Sequence, residues 1–387
     1  MSKNIFLDYI DSYDINVIQK SLEKAFFSLD VNQIFKPKAK VLIKVCLPGD
    51  YSPDMAETTN PAVVRALVNI LSGFGCKCIV ADSPYKKYTN SNLDQVYVNS
   101  GMLEVANLTK CELNTNLKTY ILHYENGIMS KQLTLLDVIN EVDFIVNVGK
   151  VKFDDELGYL GASSNMFGLI PGNKKEVELN RCLTLKDFNN YIVDIVEAMG
   201  NKLVLNILDC IVAQEKGKTQ RMMYCLGVGT NCFNLDAAIL DIIKVPFENT
   251  ILKQAEERNL FNHTKPYKSI GESVNKFSIE DFVYTEFDNS THIHKNSKQR
   301  VKFYKSNQAR TKIEPSKCKG CSICSKICPT KAIAMKYDKN GELYAEIDYK
   351  KCILCNKCLT ACPYFVVEKV EPRAYKNLEK EIKKYND

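Results

Sequence analysis

The sequence predicts an α/β body around a mainly parallel sheet, followed by a small α+β, cysteine-rich module. Three observations support this reading. Apolar β-rich runs alternate with helical patterns through residues 1–284, eight of the sixteen cysteines crowd into two short stretches near the end, and the net charge changes sign between the two parts. At 387 residues and 45% hydrophobic content, the chain can fill at least one sizeable core.

In the body, AKVLIKVCL, CKCIVADSP, EVDFIVNVGKVK and KLVLNILDCIVA read as strands. PAVVRALVNILSGFG, NLDQVYVNSGMLEVANL and FNNYIVDIVEAMG read as the helices between them. Several strand-like runs end in a charged residue: Lys44, Asp82, Lys150 with Lys152, and Asp209. In open α/β sheets the binding crevice lies beyond the carboxyl ends of the strands, so these side chains are expected to converge on one site. Strand ends are also charged for solubility alone; it is the joint placement that points to a site.

LGASSNMFGLIPGNKK at 160–175 and LGVGTN at 226–231 read as loops rich in glycine and small polar residues, the second leading into a helix CFNLDAAILDII. With Lys150, Lys152 and Lys174 or Lys175 nearby, backbone N–H groups there are suited to a phosphate or carboxylate. No G-x-G-x-x-G is present, and EKGKT at 215–219 lacks the upstream glycine of a P-loop. The four histidines, His123, His263, His292 and His294, sit in no local catalytic motif.

The C-terminal cysteines are Cys318, Cys321, Cys324 and Cys328, then Cys352, Cys355, Cys358 and Cys362, each of the second set 34 residues after its counterpart. The module is therefore an internal repeat of C-x2-C-x2-C-x3-C-P. That spacing is the one by which bacterial-type ferredoxins hold two 4Fe-4S clusters, with the fourth cysteine of each run ligating the other half's cluster. On this pattern Cys318, Cys321, Cys324 and Cys362 hold one cluster, and Cys352, Cys355, Cys358 and Cys328 the other. Zinc is the competing ligand, but its tetrahedral sites pair C-x2-C hooks across longer gaps. Between the runs, KAIAMKYDKNGELYAEIDYKK predicts a hairpin around Asn340-Gly341. Ile323, Ile327, Ile333, Ile353 and Leu354 are expected to shield the clusters from water. Over about residues 310 to 370 the chain resembles the ferredoxin-type domain.

The remaining cysteines are Cys46, Cys76, Cys78, Cys111, Cys182, Cys210, Cys225 and Cys232, most of them expected to be inert buried thiols. Cys46, just after Lys44, and Cys232, at a predicted helix start where a thiolate is stabilised, are candidates for redox or substrate contact.

IKVCL, TTNPAVVRAL, VADSP, VNVGKVKFD, GASSNMFGLIPG, ILDCIVAQEKGK and GTNCFNLDAAI resemble, in that order, an uncharacterised family, domain of unknown function 362. Its members often carry the same ferredoxin module at the C-terminus. The resemblance covers about residues 38–260 and implies an α/β body with a redox role. Lys44, Asp82, Lys152, Asp154, Asn165, Gly168, Asp209 and Asp236 match the family pattern and are candidate functional residues. The chain departs from it at Val45 and Cys46, where the family tends to have Pro-Asn, at Ser164 in place of lysine, and near Leu179 or Asn180 in place of histidine.

From Lys295 onward there are 22 Lys and Arg against 10 Asp and Glu, and before it 30 against 36, so a basic tail follows an acidic body. A basic electron-transfer module is suited to dock on its own body or to attract an acidic small ferredoxin or flavodoxin. No nucleic-acid recognition motif accompanies the lysines. MSKNIFLDYIDSYD does not read as a signal peptide, no apolar run is long enough for a membrane span, and cysteine use fits a reducing compartment, so a soluble cytoplasmic protein is expected.

The expected organisation is an α/β body at 1–284, a linker at 285–308, a two-cluster ferredoxin-type domain at 309–370 and a charged C-terminal helix at 371–387. The expected function is an iron–sulfur oxidoreductase passing single electrons to a small molecule or cofactor in the body. The alternative is a non-catalytic electron-transfer adaptor whose body recognises a partner enzyme.

Overall fold

Every strand-like run named above forms a strand in the computed structural model, which describes residues 3–85, 88–182, 184–288, 290, 310–349, 351–352 and 356–370. In chain order the body's strands are β1 (Asn4–Tyr9), β2 (Lys40–Lys44), β3 (Lys77–Ala81), β4 (Glu112–Leu113), β5 (Thr119–His123), β6 (Gln132–Leu136), β7 (Phe144–Asp154), β8 (Gly158–Leu160), β9 (Leu203–Gln214), β10 (Gln220–Gly229) and β11 (Lys268–Gly271). Its helices are α1 (Ile15–Ser28), α2 (Pro61–Gly73), α3 (Asn90–Asn99), α4 (Met102–Thr109), α5 (Ala162–Asn165), α6 (Gly172–Arg181), α7 (Leu185–Met199), α8 (Cys232–Ile243) and α9 (Ile251–Glu257).

Nine strands make one sheet in the order β11-β1-β10-β9-β7-β2-β3-β4, with β8 paired to β7. β9, β7, β2, β3 and β4 run parallel to one another, and β2 and β7 are almost continuously buried because both faces are covered. β10 reverses direction because it follows β9 through a short turn at 215–219, and β1 pairs antiparallel with it. Local signals set the helix ends. Asn60 accepts from the N–H of Ala62 with Pro61 in the first turn of α2, and Asn231 accepts from Phe233 and Asn234 at the start of α8.

Two segments differ from the loops expected. Residues 226–229 belong to β10, and their glycines serve packing: a Cβ on Gly227 would stand 3.1 Å from the Leu235 side chain of α8. Residues 162–169 form α5 and a 3-10 turn, capped from a distance by Asp236 of α8, whose carboxylate accepts from Ala162 N–H at 2.7 Å and Ser163 N–H at 2.9 Å. That cap comes from 73 to 74 residues away, so no local pattern announces the helix.

Beyond the body lie β12 (Arg310–Ile313), α10 (Ile323–Ile327), β13 (Ile333–Tyr337), β14 (Leu343–Ile347), α11 (Lys357–Ala361) and β15 (Val367–Val370). β13 and β14 form the hairpin around Asn340-Gly341, and β12 pairs antiparallel with β15. The 34-residue repeat extends to the backbone. Ser322 and Asn356 take positive φ just before α10 and α11, and Lys331 and Phe365 do so after Cys328 and Cys362. This segment has its own small core of Ile313, Ile333, Ala345, Ile347 and Val367 with Cys324, Cys358 and Cys362, distinct from that of the body. Ile323 and Ile327 point outward rather than shielding this core, while Ile333 is buried; Ile353, Leu354 and the expected charged helix at 371–387 lie outside the described residues.

Candidate functional site

A crevice of about 670 Å³ opens beyond the ends of β2 and β3 and along β7. Lys44, the last residue of β2, is fully buried and pairs with Asp82, just past β3, at 3.1 Å. Its ammonium also donates to Val45 O at 2.5 Å and to Asn165 Oδ1 at 3.2 Å, and Asp82 accepts from the N–H groups of Leu47 and Ser83. Asn165 returns a bond to Asn147 at 2.7 Å, tying α5 to β7. Gly168 lies directly on the Lys44–Asp82 pair, where any Cβ would collide with both charged groups.

Lys152 of β7 donates to Glu57 O at 3.0 Å and to its carboxylate at 3.4 Å, and Lys218 grips the same carboxylate at 2.5 Å. Burial pushes the Glu57 carboxyl up, but the Lys218 hydrogen bond and the Lys152 charge outweigh it and hold it below its ordinary value. Burial likewise pulls Lys152 down, and Cys46 and Glu57 together more than reverse this. Asp154 lies on the crevice wall and accepts from Glu156 and Leu157, both at 2.8 Å, closing the turn into β8.

Asp209 is placed differently from the other candidates. It is fully buried in the middle of β9, which runs on to Gln214, and it does not line the crevice. It accepts from Lys150 at 2.9 Å, Tyr13 OH at 2.8 Å and Asn60 N–H at 3.1 Å, and Lys150 also bonds Tyr13. Burial first, and then the Asp209 charge, push the Tyr13 hydroxyl far above its ordinary value, so this closed triad braces Lys150. Asp236 is also away from the crevice, as the cap of α5.

The two candidate thiols part company. Cys232 is buried and desolvation pushes its thiol well above the ordinary value, overriding the helix start. Cys46 is half-buried and lines the crevice; its N–H donates to Thr59 Oγ1 at 2.9 Å. Ser164 and Leu179, two more positions where the chain departs from the family pattern, line the crevice too.

Lys175 of α6 is 4% exposed, donates to Ser83 O and lies over the Phe167 ring at 5.6 Å. Among the described residues no carboxylate lies within ion-pair distance of it, and burial, opposed by Asp82, pulls its ammonium down to about 8. Its lysine pair in NKK was visible in the sequence; that the second of the two turns inward was not, because α6 itself reads as loop.

In the C-terminal module Cys318, Cys321, Cys324 and Cys362 line one small cavity, and Cys328, Cys352 and Cys358 another; Cys355 lies outside the described residues. Among the described residues no three His, Cys, Asp or Glu side chains come together closely enough to hold a single metal ion. Thiols set around a cavity suit a multi-iron core, whose outer corners take one cysteine each.

The module contacts the body through α6, α7 and the end of β5. Arg181, at the end of α6, pairs with Glu178 and donates to Thr360 Oγ1 of α11 at 2.7 Å; Lys357 reaches Asp187 at 3.5 Å, and the His123 and Phe365 rings meet edge to face at 5.2 Å.

These features define an α/β protein with a charged crevice and a C-terminal iron–sulfur module. Residues 41–241, just over half of the chain, match the family described as Domain of unknown function (DUF362), and the protein belongs to that family. Residues 317–366 match a 4Fe-4S dicluster domain, so the module binds iron–sulfur and is of the kind that transfers electrons. The chain is 25% identical over 278 residues to a thylakoid-associated protein of Synechocystis sp., covering 68% of this chain and 82% of that one. Among solved structures it is similar to the lactate racemase apoprotein of Thermoanaerobacterium thermosaccharolyticum, with 11% identity and a TM-score of 0.37; the match covers 58% of this chain and 54% of that protein. No helix among the described residues is long and apolar enough to cross a membrane.

Proposed function

We propose that the protein is an iron–sulfur oxidoreductase in which two 4Fe-4S clusters carry single electrons to a small molecule bound in the crevice. Cys318, Cys321, Cys324 and Cys362 hold one cluster, and Cys352, Cys355, Cys358 and Cys328 the other. Bound there, such clusters store and pass one electron at a time. The observation that carries the reading is α6. Lys175 and Leu179, four residues apart, turn one face of it to the crevice, while Arg181 bonds Thr360 between Cys358 and Cys362. Crevice and cluster helix are thus joined by about two turns of one helix.

Asp82 lines the crevice in a fixed charge pair with the buried Lys44, which Asn165 holds in place, and Lys152 and Asp154 offer a cation and an anion to the ligand. Asp209 acts through Lys150. An acidic small ferredoxin or flavodoxin is the proposed external electron partner, recognised by the basic tail. Anaerobic purification with iron and sulfide analysis tests the cofactor: about eight of each per chain are expected. Mixing the reduced protein with candidate acceptors then tests delivery. If K44A and D82A block substrate turnover with cluster content intact, the crevice is the active site; if they weaken only binding to a partner enzyme, the protein is an adaptor and the oxidoreductase reading fails.

A further inference from the structure

The lysines around the crevice outnumber the buried carboxylates that face them. Lys44 is matched by Asp82, Lys150 by Asp209, and Lys152 and Lys218 share the single carboxylate of Glu57. Lys175 has no such partner among the described residues. The wall's other carboxylates do not make up the difference: Asp155 and Glu156 are exposed, and the half-buried Asp154 already accepts two backbone N–H groups. Charges in water are screened, whereas a desolvated ammonium feels little of them and is unfavourable without a counter-charge.

We propose that the crevice binds a small organic anion, whose carboxylate or phosphate lies against the Lys175 and Lys152 ammonium groups with the Cys46 thiol beside it. This rests on the reading of the crevice as the substrate site and adds the class of ligand. Lys152, Cys46 and Lys175 all line this one crevice. The volume, about 670 Å³, is that of a site for an organic molecule rather than a bare ion, and Phe167, Phe188 and Leu179 give it apolar walls. The groups facing Lys175 are Lys44 on β2, Cys46 beyond it, Asp82 after β3 and Lys152 on β7. Burial pulls the Lys175 ammonium down to about 8, so the anion binds more weakly as pH rises through that value.

The test uses the full-length, cluster-loaded protein, titrated calorimetrically with benzoate and with inorganic phosphate against chloride at matched ionic strength. Saturable one-to-one binding of either probe is expected, weakened at least about tenfold in K175M and in K152M and unchanged in K24M, which alters an exposed lysine of α1. Benzoate alone identifies a carboxylate ligand, phosphate alone a phosphorylated one. Wild-type affinity should also fall between about pH 7 and about pH 9, and K175M should lose that dependence. Thermal melting separates a structural role, since K175M removes an unmatched buried charge and should melt no lower than the wild type. The proposal is overturned if neither probe binds, if K175M binds as tightly as the wild type, or if K175M melts lower with anion binding unchanged. Anion binding without electron transfer to any acceptor would remove the oxidoreductase reading and leave the anion site standing. Electron transfer to a neutral acceptor without anion binding would do the reverse.

Discussion

Arg181 on α6 donates to Thr360 Oγ1 on α11 at 2.7 Å, joining a helix that lines the crevice to a helix that lies between two cysteines of the iron–sulfur module. Removing Arg181 would leave Glu178 buried and unpaired, which costs about 3–5 kcal/mol and confuses stability with function. T360V is the cleaner change. It should cost about 1 kcal/mol in denaturant unfolding, leave iron content unchanged and slow electron delivery from the clusters to a crevice-bound acceptor, measured by rapid mixing. Equal rates in T360V and wild type would disconnect this contact from electron flow.

The Lys44–Asp82 pair is buried on both sides. K44M strands the carboxylate and is expected to destabilise by about 3–5 kcal/mol, while K44M/D82L, which removes both charges, should recover most of that loss. G168A pushes a methyl group into the same pair and should cost about 1–3 kcal/mol. Guanidinium unfolding of the three variants checks the order.

Lys175 makes stability depend on pH in a particular window. Its proton is held near 8 in the folded protein against an ordinary 10.5. Between those values the unfolded chain carries the proton and the folded chain does not, so stability rises with pH there, by about 3 kcal/mol in total. Below about 8 both states are protonated and this contribution is flat. The wild type minus K175M difference in unfolding free energy, measured from neutral to alkaline pH, should show this rise; a flat difference would mean that burial does not govern the Lys175 ammonium.

The arrangement of cysteines around the two cavities predicts crossed losses. C328S should remove the cluster of Cys352, Cys355 and Cys358, and C362S that of Cys318, Cys321 and Cys324, each lowering iron from about eight to about four per chain. Electron paramagnetic resonance of the reduced variants would show a single uncoupled centre in each. A C328S protein that instead loses the centre of Cys318, Cys321 and Cys324 would refute the assignment.

Much of this was legible in the chain itself. β2, β3, β7 and β9 stand where long apolar runs predict them, because strands covered on both faces leave an unbroken signal. The cysteine repeat needed only spacing. What stayed hidden depends on distant partners: α5 is capped by Asp236 from another helix, and Asp209, read as a strand-end charge, is sealed inside β9 by Tyr13 and Asn60. Cys232 was legible as a helix start, but desolvation, which no local pattern shows, decides its chemistry. Lys175 required the turn of α6 over Ser83 and Phe167.

The mutual lending of Cys328 and Cys362 between the two halves of the repeat means that neither half is a self-sufficient unit. On the proposed ligand assignment, loss of the centre at Cys318, Cys321 and Cys324 would free Cys362, the residue that ends the helix carrying Thr360. Such a loss would then reach, through Thr360 and Arg181, the helix that lines the crevice.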